Sequence, residues 1–165
     1  MRSHLRTFVL GPMGIGKSSI SRTLATAVRT ESWGTDEKLG QLIGIDVSTT
    51  FSFLGQKQFR KWEAELLGGF LMPTTTNAGG GTMLSSQNRM RSFRSLSFGL
   101  EANITSIKTR LRVSNSRPEV QVGKFWKKRL RCCKVCSKCH LRQTKMKLPD
   151  SLNFLMGLLT NILTE

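Results

Sequence analysis

Residues 11–18 read Gly-Pro-Met-Gly-Ile-Gly-Lys-Ser, preceded by Thr7-Phe8-Val9-Leu10 and followed by Ile20, Leu24, Ala27 and Val28 at helical spacing. This satisfies the phosphate-loop pattern GxxxxGK[ST] between an apolar strand and a helix, the context in which that pattern has physical meaning. Glycines let the backbone curl so that successive N–H groups point at phosphate oxygens, and the helix N-terminus adds positive potential. Lys17 is expected to reach the β and γ phosphates, and the Ser18 hydroxyl to ligate Mg2+. The nucleotide contacts expected here are Gly11, Met13, Gly14, Ile15, Gly16, Lys17, Ser18 and Ser19. The plain alternative is a glycine-rich turn with an incidental Lys-Ser pair.

Outward from the loop, strand and helix alternate, which predicts an α/β protein with a parallel sheet covered on both faces. Helices are expected at residues 36–42, where Leu39, Leu42 and Ile43 share a face, and at 58–67, where Phe59, Trp62, Leu66 and Leu67 do. The turn chemistry of residues 73–81 (PTTTNAGGG) predicts a loop. Residues 96–102 read as a buried strand, 104–113 as a helix, 114–123 as a loop and 125–134 as a basic helix. The chain is expected to close with a helix at about 150–164, capped by Asp150 or Ser151 after Pro149. No internal repeat is present, and 165 residues suit a single domain spanning 1–165.

Further pieces follow the loop in a recognisable order. They are Thr35-Asp36 with Lys38-Leu39; Gly44-Ile45-Asp46-Val47; Gly55 with Phe59-Arg60 and Glu63; Gly79-Gly80-Gly81; and Leu100-Glu101 with Arg110 leading to Arg117-Pro118. Together with GPMGxGKS they resemble the shikimate kinase family, closely over about residues 7–120 and loosely beyond. The resemblance implies a three-layer α/β/α kinase fold with an about five-stranded parallel sheet and a lid at about 112–128. It also implies transfer of the γ-phosphate of ATP to the 3-hydroxyl of shikimate, a step of chorismate and aromatic amino acid biosynthesis.

The same resemblance assigns roles. Asp36 would orient or deprotonate the reacting hydroxyl, and Arg60, with Arg129 as a second, would pair with the shikimate carboxylate, for which a planar guanidinium is well shaped. The backbone of Gly79, Gly80 and Gly81 would lie against the ring. Arg117, delivered by the lid, would stabilise the transferring phosphoryl group, and Arg110 would stack on adenine. Plain readings stand beside these: Asp36 as a helix N-cap, Arg60 and Glu63 as a surface ion pair, Gly79–Gly81 as a flexible loop, and the three later arginines as solvated charges.

The chain departs from the family pattern at several places. Gly34 stands where the first Asp of Asp-x-Asp would help hold the magnesium shell, Leu54 and Gln56 replace acids that flank Gly55 in many members, and Ala78 precedes the triple glycine. Glu119 and Val120 follow Arg117-Pro118, the segment from there to Arg129 is short, and Cys133 takes the place of a Tyr. A nucleotide binder without catalysis therefore stands as an alternative.

The balance of 26 Lys+Arg against 10 Asp+Glu gives +16, with most of the basic residues between Arg89 and Lys147. Such a field favours an anionic partner without choosing one. A nucleic-acid-binding protein would use Arg89, Arg91, Arg94 and residues 127–131 along phosphates, with Phe125 and Trp126 for stacking; the plain alternative, a solvated basic surface, is favoured because no nucleic-acid motif is present. The expected partners are thus ATP and shikimate, acting on a monomer without a membrane. Residues 1–9 are short and carry Arg2, His4 and Arg6, and the apolar stretch near the C-terminus is interrupted by Asn153, Gly157 and Asn161, so a cytoplasmic protein is expected.

All four cysteines, Cys132, Cys133, Cys136 and Cys139, fall together. With His140 they offer ligands for zinc, but four ligands in so few residues strain to converge, and the haem-attachment pattern at 136–140 lacks a setting. Lys134 and Lys138 beside the thiols predict reactive thiolates instead.

Overall fold

The computed structural model describes residues 6–69, 74–79, 81–93, 95–105, 107–109, 130–133, 135–136, 139–142 and 157. Five strands, β1 (Thr7–Gly11), β2 (Glu31–Gly34), β3 (Thr74–Gly79), β4 (Leu96–Glu101) and β5 (Cys139–Arg142), form one sheet in the order β2-β3-β1-β4-β5. Every pairing is parallel. The helices are α1 (Lys17–Val28), α2 (Thr35–Ile43), α3 (Val47–Gly69) and α4 (Ser86–Phe93).

β1 is buried along its whole length, and its alternating side chains build two cores. Val9 packs with Ile15, Ile20, Leu24, Leu96, Phe98, Leu100 and Ile107 on one face. Phe8 and Leu10 pack with Leu67, Ala78, Met83, Cys133 and Cys136 on the other. Each fully buried Ile, Leu or Phe here stabilises the fold by about 1.5–3 kcal/mol relative to exposure. In α1, Ile20 and Leu24 lie one turn apart and supply the buried stripe, and the helix ends at Arg29 in the left-handed conformation, with Thr30 N–H donating to Ala25 O at 2.9 Å.

The turn at 44–47 does two jobs. Gly44, at φ 77, closes α2, and Asp46 caps α3 by accepting from the backbone N–H of Thr49 at 3.0 Å. α3 is longer than the helix expected at 58–67 and is broken at Gly55, whose φ 70 and ψ 164 are open to glycine alone. Beyond that break Phe59 and Leu66 pack with Leu39, Trp33, Ile43 and Trp62, which joins α2 to α3.

The expected loop at 73–81 is corrected: Thr74–Gly79 is a strand between β1 and β2. Pairing on both edges and three β-branched threonines outweigh the local turn chemistry of Asn and Gly. β2, β5 and α4 carried no expectation from sequence. The expected 104–113 helix is helical at 104–105 and 107–109, and the expected 125–134 helix at 130–133. The rest of those two helices, the lid at about 112–128 and all of the closing helix except Gly157 lie outside the described residues. No helix among the described residues is long and apolar enough to cross a membrane.

The reactive-thiolate expectation is corrected at Cys133 and Cys136, and the Cys139 side chain lies outside what is described. Cys133 and Cys136 lie inside the core rather than in a basic surface, and burial pushes the Cys133 thiol up to about 12 and Cys136 upward as well. Desolvation of the thiolate outweighs the attraction of nearby cations, among which Lys17 acts on Cys133 and Arg89 on Cys136.

Candidate active site

The chain leaves β1 toward β2 on one side of the sheet and leaves β3 toward β4 on the other. In an open parallel sheet this reversal opens a crevice beyond the carboxyl ends of the two strands. Gly11, the last residue of β1, is the Cα partner of Gly79, the last of β3. The phosphate loop and the glycine segment at 79–81 therefore depart from the sheet side by side.

The loop is shaped from within. Ile15 is wholly buried and anchors it in the core, while Gly14 at φ 74 and Gly16 at φ 97 take backbone angles that L side chains rarely adopt. A Cβ on Gly11 would stand 3.1 Å from Ile15 Cγ2 and 3.3 Å from Leu100 O. Lys17 opens α1, and its ammonium lies across the loop, donating to Pro12 O at 2.8 Å. Met13, Ser18 and Ser19 line the exposed or half-exposed side. A helix N-terminus, curled backbone and one ammonium in this arrangement suit a polyphosphate.

The second half of the crevice is organised by Glu63. Its side chain is wholly buried in the apolar stripe of α3, accepts from Thr35 Oγ1 at 3.0 Å and from the Thr82 hydroxyl through Oε1, and pairs with Arg60 Nη1 through Oε2 at 2.6 Å. Burial pushes its carboxyl above the usual range, against the pull of Arg60 and Thr82. Arg60 also lies over the Phe59 ring at 5.2 Å, and a Cβ on Gly81 would stand 2.3 Å from Arg60 Nη2. The guanidinium is thus held against the backbone of residue 81. Asp36 follows Thr35 in the first turn of α2, close enough to Glu63 for its charge to act there.

Of the expected site residues, the structure sets the loop beside Gly79 through the Gly11–Gly79 register, and holds Arg60 against Gly81 with the charge of Asp36 acting on the same Glu63. Gly80, Arg110, Arg117 and Arg129 lie outside the described residues. Two plain readings are corrected. The N-cap of α2 is Gly34 rather than Asp36, and the Arg60–Glu63 pair is not a surface pair, because Glu63 is sealed from solvent. Thr35, Thr82 and Asn77 carried no site role from sequence, since their partners Glu63, Glu63 and Ser21 lie 28, 19 and 56 residues away.

The Ser18 hydroxyl, in the first turn of α1 beside the loop, is a hard-oxygen donor that fits a divalent cation. Gly34 has no side chain, and a Cβ built there would lie 2.9 Å from Asn77 Oδ1, 3.3 Å from Asn77 Nδ2 and 3.4 Å from Glu37 Oε2, so position 34 itself offers the cation no ligand. The described residues contain no group of three His, Cys, Asp or Glu able to hold a metal alone. Such a donor set suits a magnesium ion carried mainly by phosphates and water.

Arg89 and Arg91, which the nucleic-acid alternative would set on a phosphate-tracking face and the favoured reading on a solvated one, are half-buried and tied to the fold. Arg89 donates to Met83 O and Leu84 O at 3.0 and 2.8 Å, and Arg91 to Ala64 O and Asn88 Oδ1 at 2.8 and 3.0 Å.

A family model described as shikimate kinase matches residues 13–147. The shikimate kinase of Buchnera aphidicola subsp. Baizongia pistaciae is 33% identical over 118 residues, 70% of this chain and 68% of that protein. That of Methylococcus capsulatus is 30% identical over 124 residues, 73% of this chain and 69% of that protein. The structure of shikimate kinase from Acinetobacter baumannii in complex with shikimate matches with a TM-score of 0.79 at 20% identity, over 99% of this chain and 95% of that one.

Proposed function

The chain belongs to the shikimate kinase family, and from that premise we propose that it transfers the γ-phosphoryl group of ATP to the 3-hydroxyl of shikimate. The observation that carries the reading is the Arg60 guanidinium, fixed by buried Glu63 and laid against Gly81, two residues beyond the Gly79 that is the β-sheet partner of Gly11 at the start of the phosphate loop. A planar cation so held suits the carboxylate of a small acid, and fixing it in advance removes the entropy cost of ordering a long side chain on binding.

In this reading the loop amides and Lys17 hold the β and γ phosphates, and Ser18 is the residue placed to hold magnesium. Magnesium, when bound, neutralises charge on the phosphates. Asp36 accepts the proton of the 3-hydroxyl as its oxygen forms the bond to phosphorus, and the bond from phosphorus to the bridging oxygen breaks to release ADP. Gly79, Gly80 and Gly81 present backbone to the ring, and Arg129 adds a second cation to its carboxylate. Arg110 stacks on adenine, and Arg117 closes over the transferring group. We place the reaction in the cytoplasm, carried out by a single copy of the chain, as a step toward the aromatic amino acids.

The test is ADP release from ATP and Mg2+ with and without shikimate. ADP should form only when shikimate is present, and Lys17→Ala should lower kcat by about a hundredfold or more, the size expected when a charge on the transferring group is lost. A wild-type protein that binds ADP yet forms no product with shikimate would overturn the reading and leave a nucleotide binder.

A further inference from the structure

Resting on the acceptor part of that reading, we propose that Thr35 is a positioning residue, whose hydroxyl fixes Asp36 relative to Arg60 through the Glu63 oxygen that Arg60 does not use. Thr35 and Asp36 are the first two residues of α2, and the N-cap before them, Gly34, makes no side-chain cap. The helix start therefore lacks the usual side-chain fixing point. Thr35 supplies another. Its side chain is buried and donates to Glu63 Oε1 at 3.0 Å, across 28 residues of chain.

Glu63 divides its two oxygens among the elements of the acceptor site. Oε2 accepts from Arg60 Nη1 at 2.6 Å, while Oε1 accepts from the hydroxyls of both Thr35 and Thr82. Thr82 follows Gly81, the residue against which the Arg60 guanidinium lies, and opens a short 3-10 turn. The two hydroxyl oxygens stand 3.5 Å apart. With Glu63 ionised, each gives its single proton to Oε1 and has none for the other. One carboxylate oxygen thus ties the start of α2 and the segment after Gly81 separately.

In a small ring acid the carboxylate and the reacting hydroxyl keep a fixed separation. A site that grips one with Arg60 and takes the proton of the other with Asp36 needs those two side chains at a matching separation. Cohesion alone does not call for the Thr35 bond, because Leu39, Phe59 and Leu66 already pack α2 on α3. Apolar packing is non-directional, whereas a hydrogen bond to a buried carboxylate fixes the place of the residue beside it.

The test compares wild type, Thr35→Val, Thr35→Ser and Thr82→Val for kcat and shikimate KM at saturating ATP and Mg2+. Melting temperatures are measured alongside, and active protein is counted by ADP binding. Thr35→Val should lower kcat about tenfold with the shikimate KM within about twofold, and Thr35→Ser should keep the wild-type kcat. Thr82→Val strips the same oxygen of a donor but frees the segment against Arg60, so it should raise the shikimate KM about fivefold and leave kcat nearly unchanged. Both valine variants should melt lower by similar amounts, so a loss of stability does not explain opposite kinetic effects. If Thr35→Val does not fold, Thr35→Ala, which sets no methyl against the carboxylate, is read in its place. Equal kinetic losses at positions 35 and 82, an unchanged kcat without the Thr35 hydroxyl, or a Thr35→Ser variant as slow as Thr35→Val would overturn the proposal and leave shikimate phosphorylation standing. A wild type that releases no ADP with shikimate would overturn the acceptor reading and this inference together.

Discussion

Arg60 and Glu63 meet at 2.6 Å one turn apart on α3, with the Glu63 side chain at 0% exposure and that of Arg60 at 22%. A carboxylate with no water of its own is a costly anchor unless every oxygen is engaged, and here two hydroxyls and a guanidinium engage both. The arrangement trades stability for the fixed direction of one cation.

Replacing Glu63 by Gln exposes that trade. Burial raises the Glu63 carboxyl, so the folded protein binds its proton more readily than the unfolded chain does. The associated stability is therefore present below the ordinary Glu range and lost as pH rises through the raised value. At neutral pH, Glu63→Gln should melt no lower than the wild type, while the shikimate KM rises about tenfold or more for want of an anchored Arg60 and the ATP KM stays fixed. Melting curves and two-substrate kinetics at pH 7 to 8 check both halves; an unchanged shikimate KM would separate Glu63 from the acceptor.

Gly81→Ala acts on the same cation from the opposite side. The new Cβ would collide with Arg60 Nη2, so the guanidinium must shift from the position in which Nη1 pairs with Glu63. The variant should fold, since the obstruction is the end of a long side chain, and should raise the shikimate KM by about tenfold, equivalent to about 1.4 kcal/mol. Steady-state kinetics with ATP saturating is the measurement.

Cys133 gives a prediction at high pH. Its thiol is pushed up to about 12 by burial, so between the ordinary thiol range and that value the unfolded chain has lost the proton that the folded chain keeps. Stability then falls as pH rises, by up to about 1.4 kcal/mol per pH unit from this group. The difference in denaturant midpoint between wild type and Cys133→Ala should accordingly shrink from pH 9 upward. Native labelling with iodoacetamide should reach half-buried Cys132 and spare Cys133 and Cys136 until the protein unfolds.

The phosphate loop could be read directly because its information is local: Gly14, Gly16 and Lys17 each act within a few residues of themselves. Arg60 and Asp36 were found through the order of short pieces, not through any property visible at those positions. Glu63 was seen only as a neighbour of Arg60, and its partners Thr35 and Thr82 lie 28 and 19 residues away, beyond any helical or strand period. β3 was misread because Asn77, Ala78 and Gly79 are poor strand formers taken alone, and only pairing on both edges holds them extended. The cysteines were misread for the converse reason. Nearby lysines are local, whereas the burial that sets thiol acidity depends on Phe8 and Leu10, Leu67 and Met83, from three distant segments.

The central place of β1 also constrains the order of events during synthesis. Its first hydrogen-bonding neighbour in the chain begins at Thr74 and its second at Leu96, so the N-terminal strand emerges from the ribosome long before either. A nascent chain arrested before about residue 101 would carry the nucleotide motif intact and yet have no rigid place to hold it, leaving Phe8, Val9 and Leu10 open to chaperones or to aggregation.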